Sequence, residues 1–301
     1  MRTFQSIFII ALLLLAHINV LMAQNSPAPG ERMVGDFHIL KIQDAQITLK
    51  ISLLSGIDAA VAQKLNGGHE SQITPVNAFV VKTPQHLILV DTGIGKGSGE
   101  DAGHLQDLLK EAGFDASQVY LILLTHLHFD HIGGLTSVEG KRMFPHATIR
   151  LSKAESDFWL RDTGSVPAEQ RERARQIQKQ LNPYIQANAL KTFAPGESLA
   201  EGVKAQEAYG HTIGHCIYSF TSKGQEFWCV GDLIHFREIQ FKMPKVGVVF
   251  DTNGKQAIDS RIAYFNTAAQ KHILLGGSHL PEFIYVEKSD NSFIASPVKV
   301  K

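Results

Sequence analysis

The stretch Val119-Tyr120-Leu121-Ile122-Leu123-Leu124 runs straight into Thr125-His126-Leu127-His128-Phe129-Asp130-His131. A short apolar run of this kind reads as a strand buried on both faces. A buried strand that ends in imidazoles and carboxylates must give those groups partners, because unpaired polar groups are costly to bury. Neutral imidazole nitrogen and carboxylate oxygen are natural ligands for zinc and similar divalent ions. His126 and His128 are two apart, so on extended backbone they point the same way. Once the chain turns, Asp130 and His131 can face a neighbouring position, and one turn can supply two adjacent ions. With 14 His and 14 Asp among 301 residues, a shuffled chain would contain this pattern on the order of once in a thousand tries.

The rest of the chain repeats the device of an apolar strand ending in a metal-capable side chain. Leu87-Ile88-Leu89-Val90 ends at Asp91-Thr92-Gly93, and Val230-Gly231-Asp232 puts a carboxylate after Glu226 to Val230. Ile273-Leu274-Leu275 precedes Gly276-Gly277-Ser278-His279, and Gly210-His211-Thr212-Ile213-Gly214-His215 sits between strand and turn. Around these, Ile47, Leu49 and Ile51 alternate with polar residues as in a half-buried strand. Ala78 to Val81 and Leu87 to Val90 flank Thr83-Pro84-Gln85 as a hairpin. Leu105, Leu108 and Leu109 mark a helix that stops near Gly113, Ala154 to Tyr184 reads as helical, and a last helix is expected around Ala257 to Ala269. Strands interleaved with helices without strict alternation predict mixed α/β sheets covered by helices.

Taken in order, Asp91-Thr92-Gly93, His126-x-His128-x-Asp130-His131, Gly210-His211-Thr212-x-Gly214-His215, Gly231-Asp232 and His279 resemble the motif series of the metallo-β-lactamase superfamily. The resemblance covers about residues 36 to 299. It implies a four-layer αβ/βα sandwich with the site at one edge between two sheets. It also implies one metal on His126, His128 and His211, a second on Asp130, His131 and His279, and Asp232 bridging the two. The implied cofactors are two divalent ions of zinc type. The implied reaction is attack by a hydroxide held between them on an ester, lactone or phosphotriester, with Asp130 passing a proton to the leaving group. Within the superfamily, the segments around Ser156-Asp157-Phe158-Trp159-Leu160, Leu181-Asn182-Pro183-Tyr184 and Ser278-His279-Leu280-Pro281 are similar to methyl parathion hydrolase and N-acyl-homoserine lactonase-like members. That likeness implies that Trp159 lines a leaving-group pocket and allows a homodimer. His235 stands where an apolar residue is common and is a second pocket candidate. His215 and Asp91 are expected to support the ligands rather than bind. The competing readings are a β-lactam hydrolase and an iron-dependent oxidoreductase of the same fold.

Composition limits the remaining classes. Hydrophobic residues make up 44% and charged residues 19%, so a substantial core can form. The formal net charge is zero, without the basic excess of most nucleic-acid binders. A small-molecule substrate is the expected partner. Arg2 followed by Phe8 to Ala16, then Ala23, fits a secretory signal peptide over residues 1–23. That run is shorter than the roughly 20 apolar residues of a membrane span, so a secreted or periplasmic protein without a stable anchor is expected. The polar, Pro-containing residues 24–35 read as a linker, and residues 36–301 as the catalytic domain. Cys216 and Cys229 fall on the arms of a second hairpin, and a disulfide or two buried thiols would both fit.

Overall fold

A computed structural model describes residues 30–298 apart from residues 100 and 195. The expected signal segment 1–23 lies outside the described residues. From the N-terminus the chain forms β1 (Glu31–Val34), β2 (Phe37–Lys50), β3 (Leu54–Ser55), α1 (Ala59–Leu65), β4 (Ser71–Lys82) and β5 (Leu87–Val90). Then come α2 (Leu105–Glu111), β6 (Val119–Leu123), α3 (Phe129–Ile132), β7 (Thr148–Ser152), α4 (Lys153–Trp159), α5 (Arg171–Gln186) and β8 (Leu190–Phe193). The second half holds β9 (Ser198–Ala200), β10 (Val203–Glu207), β11 (Cys216–Ser222), β12 (Gln225–Cys229), α6 (Arg237–Gln240) and β13 (Gly247–Val248). It closes with α7 (Gly254–Lys271), β14 (Leu274–Gly276), β15 (Ile284–Ser289) and β16 (Ser292–Pro297).

Two sheets of seven strands result, ordered β1-β2-β4-β5-β6-β7-β8 and β16-β15-β14-β12-β11-β10-β9. The near-continuous apolar strands are explained by burial on both faces. In β4, Ala78 and Val80 face the helices, whereas Phe79 and Val81 face the other sheet. Leu89 and Ile122 belong to the helix-side core, and Val90 and Leu123 to the core between the sheets. On the far sheet, Tyr218 and Phe227 fill the inter-sheet core, while Ile217 and Trp228 pack with Phe265 of α7. The layers are therefore helix, sheet, sheet, helix, as expected. Each large side chain sealed in these cores contributes about 1.5–3 kcal/mol.

Two expectations are adjusted, and one left open is decided. The start of the domain is earlier: β1 occupies residues 31–34 of the expected linker, paired antiparallel with β2. The helical span 154–184 is two helices separated by residues 160–170, where 3-10 turns surround Pro167. Pro183 is carried inside α5. The cysteines are both free and buried. Cys229 pairs across the sheet with Tyr218, and Cys216 with Glu207 of the other neighbour, so the register sets the thiols apart. No described helix is long and apolar enough to cross a membrane.

Topology positions the site. β5 and β6 run parallel in one sheet, β12 and β14 parallel in the other. Their C-terminal ends release Asp91, the 126–131 turn, Asp232 and His279, respectively. Crevices outside the carboxyl ends of strands are where open α/β sheets bind ligands.

Candidate metal centre

The structure brings all seven predicted ligands together. One set of ligand atoms from His126, His128, His211 and Asp232 lies within 4.8 Å of one another, and a second from Asp130, His131 and His279 does the same. Asp232 joins them: its Oδ2 is 3.2 Å from His211 Nε2 and 3.4 Å from His279 Nε2, while its Oδ1 is 3.2 Å from His131 Nε2. Asp130 Oδ2 is 3.5 Å from His279 Nε2 and 3.6 Å from His131 Nε2. His128 turns the opposite edge inward, with Nδ1 3.0 Å from His211 Nε2.

Three of the imidazoles are oriented from behind. His131 Nδ1 contacts Asp91 Oδ2 at 2.8 Å, His211 Nδ1 contacts Asp251 Oδ1 at 2.9 Å, and His279 Nδ1 contacts the Pro75 carbonyl at 2.9 Å. Donation through Nδ1 leaves the Nε2 lone pair for the centre. Asp91 adopts φ 57°, an uncommon conformation for a side-chain-bearing residue. In that pose its carboxylate also accepts the Thr125 N–H and hydroxyl, both at 2.8 Å. His215 supports rather than binds: burial pushes it down to about 3, so it stays neutral, and its Nε2 accepts the Asp232 N–H at 3.0 Å. Gly231 is required there, since a Cβ would come within 2.6 Å of that same nitrogen.

The donor set fits divalent cations. Nε2 of His126, Nε2 of His131 and Oδ1 of Asp232 are buried with no hydrogen-bond partner, a costly state unless a further group binds them. Electrostatics agree. Burial opposes a charge on His211, yet Asp232 and Asp251 raise it to about 9. Burial likewise opposes a charge on His131, and Asp232, Asp130 and Asp91 overcome it. The carboxylates call for positive charge at this place, and a bound cation would supply it.

A cavity of about 430 Å³ opens over the centre. His128, Asp130, Asp232 and His279 form its floor, and Ile47, Leu49, Ile94, Phe129, Ile177 and Phe250 its apolar wall. Arg173 of α5 stands among them, with a guanidinium nitrogen 3.5 Å from His128 Nε2. His235 lines the cavity, with Nε2 3.0 Å from Asp232 Oδ2. Trp159 does not. It is only 2% exposed, packs in the helix-side core and donates Nε1–H to Glu155 at 3.0 Å. The expected pocket role is thus corrected to a core role, because α4 turns its apolar face toward the sheet and α5.

Several supporting residues escaped the sequence reading. Asp251 lies in a loop without any motif. Buried Asp44 accepts N–H groups of Ile94, Gly95 and Leu105 and so shapes the loop that carries Ile94. Gln240 accepts the N–H groups of His235 and Phe236, and Arg261 donates to the carbonyls of Leu233, Pro244 and Val246, which holds the loop after Asp232. A buried polar residue with no short motif leaves no signal in one sequence except an unusual charge in an amphipathic pattern, as at Arg261.

A family model described as "Metallo-beta-lactamase superfamily" matches residues 72–266. The chain belongs to that superfamily. Among curated proteins it is 28% identical over 201 residues to a probable metallo-hydrolase of Mycobacterium tuberculosis, covering 56% of this chain and 61% of that protein. It is 24% identical over 161 residues to an N-acyl homoserine lactonase of a Bacillus species, covering 47% and 56%. The matched part thus spans about three-fifths of the curated relatives' length. Among solved structures, a hydrolase of the beta lactamase superfamily, AbOPH, superposes with TM-score 0.85 at 28% identity, over 91% of this chain and 98% of that one. The dizinc quorum-quenching lactonase AidC gives 0.82 at 28%, over 89% and 97%.

Proposed function

We propose that this protein is a metal-dependent hydrolase that holds two zinc-type ions and cleaves a small ester, lactone or phosphotriester bearing an apolar group. The observation that carries the reading is the joined pair of ligand clusters, with buried unpartnered nitrogens, beneath an apolar cavity. The likeness to a protein named a dizinc lactonase and to one named a hydrolase adds support. His126, His128 and His211 would hold one ion, Asp130, His131 and His279 the other, and Asp232 would bridge. Ions bound there supply Lewis acidity, which acidifies water and polarises a carbonyl or phosphoryl oxygen.

The chain's own residues do the rest. Asp232 is held ionised despite burial by the surrounding imidazoles, so it can serve both positions. The apolar wall takes up the substrate's hydrocarbon part and excludes water from it. Asp130 keeps a partly exposed side chain, 24% against 2–3% for His279 and Asp232, so it can reach a leaving group and pass it a proton. Unchanged hydrolysis by Asp130→Asn with both metals retained would remove that role. The wider reading is tested with the zinc-loaded chain and its His128→Ala variant on an aryl ester, an acyl-homoserine lactone, a methyl phosphotriester and a chromogenic β-lactam. Turnover of an ester, lactone or phosphotriester that vanishes in the variant is expected. Turnover of the β-lactam alone, or of nothing, contradicts the proposal. Export from the cell is a companion proposal resting on the N-terminal sequence, and N-terminal sequencing of the mature protein tests it.

A further inference from the structure

Beneath the ligand loops lies a carboxylate that belongs to none of the motifs. Glu155 of α4 has no exposed surface. Its Oε1 accepts the Leu127 backbone N–H at 3.1 Å and the Trp159 indole N–H at 3.0 Å. Its Oε2 accepts the Thr212 hydroxyl and the Gly214 backbone N–H, both at 2.9 Å. Leu127 lies between His126 and His128, and Thr212 directly follows His211. One carboxylate therefore grips both loops that carry the three imidazoles of the first metal position. Those loops come from different sheets: one follows β6, the other precedes β11.

The approach is built into the sequence. A Cβ on Gly214 would collide with the Glu155 backbone nitrogen. Ser152 Oγ donates to the Gly214 carbonyl at 2.7 Å and accepts the Glu155 N–H at 3.2 Å. The second Gly of Gly210-His211-Thr212-Ile213-Gly214-His215 is thus required by the start of α4. Burying a carboxylate is costly, and an apolar side chain of similar size would pack at lower cost. Burial in fact pushes the Glu155 carboxyl up from its ordinary range, against the four hydrogen bonds. What the carboxylate adds over an apolar group is a set of directed bonds that fix one loop against the other.

We propose that Glu155 is a positioning residue for the first metal position, setting the separation between His126-x-His128 and His211 so that their nitrogens converge before a cation arrives. The inference rests on the metal-site reading given above. It carries a selective consequence. The second position is oriented elsewhere, by Asp91 behind His131 and the Pro75 carbonyl behind His279. Loss of Glu155 should weaken one position and spare the other.

The test uses the full chain and three variants, each titrated with Co²⁺ against a chelator while the visible absorption of the cobalt is recorded. Glu155→Gln keeps the size but replaces an acceptor oxygen by a donor. Thr212→Val removes one tether and leaves Glu155 in place. Trp159→Phe removes the donor that belongs to neither ligand loop. The wild type should take up two ions per chain. Glu155→Gln should lose about 10–100-fold in affinity at one position, the range seen when a ligand's supporting partner is removed, with an altered absorption band and the other position unchanged. Thr212→Val should weaken the same position by less, and Trp159→Phe should bind as wild type. A folded Glu155→Gln chain with wild-type affinity and spectrum overturns the proposal. So does equal weakening of both positions, or a Trp159→Phe chain that matches Glu155→Gln. If Glu155→Gln does not fold, wild-type binding by Thr212→Val overturns it. A wild type that takes up no cobalt removes the metal-site reading itself, and that failure is told apart because it occurs before any substitution.

Discussion

The floor and the wall of the cavity are built on different terms. The floor consists of short strand-end segments, and its His131, His211 and His279 are held from behind by Asp91, Asp251 and the Pro75 carbonyl. The wall is assembled from β2, the loop after Asp91, α3, α5 and the loop before α7, through single apolar side chains. Hydrogen bonds fix the direction of a ligand atom, so the floor tolerates little change. Apolar contact is non-directional and scales with area, so the wall can change shape while keeping the fold. Chemistry is thereby separated from the choice of substrate.

The largest expected effect tests the floor at its joint. Asp232→Ala should lose both ions in metal analysis and lower kcat by about a thousandfold or more, as expected when a metal-supplied nucleophile is removed. Retention of one ion with substantial turnover would mean that Asp232 does not join the two positions. One step behind the floor, Asp251→Ala leaves His211 without its Nδ1 partner. Metal affinity should fall about 10–100-fold in chelator competition, with substrate preference unchanged.

The wall should behave differently. Phe250→Ala should raise KM for a long apolar substrate by about tenfold, from roughly 1.4 kcal/mol of lost apolar contact, with kcat and metal content unaltered. A fall in kcat with KM unchanged would show that the wall takes part in the chemistry. The smallest effect on catalysis is expected outside the cavity. Trp159→Phe removes a buried hydrogen bond and should cost about 1–2 kcal/mol of stability in denaturant unfolding while leaving KM alone. A raised KM at native stability would return Trp159 to the pocket.

The same contrast explains what could be read in the sequence. The floor was legible because every ligand but His211 follows an apolar strand within a few residues, and strand ends on parallel strands converge; His211 was marked by its own Gly-His-Thr segment. The sheets were legible for a related reason: residues 78–81 of β4, 87–90 of β5, 121–123 of β6 and 227–229 of β12 are buried on both faces and read as apolar runs. β1 was hidden inside a polar segment, since an edge strand of four residues needs little apolar surface. Asp251 and Glu155 were hidden because their partners lie 40 and 57 positions away, at His211 and Thr212. Trp159 was misjudged because a large aromatic on a short helix can face either a cavity or a core, and only the packing of α4 against α5 decides. Wall residues such as Ile94, Ile177 and Phe250 left no signal beyond being apolar.

The central claim is that the floor holds two divalent ions for hydrolysis, and metal content tests it most directly. The purified full chain, dialysed and examined by elemental analysis, is predicted to retain two zinc-type ions per chain. A chain that retains a single iron, or takes up no metal when zinc is offered, would contradict the account.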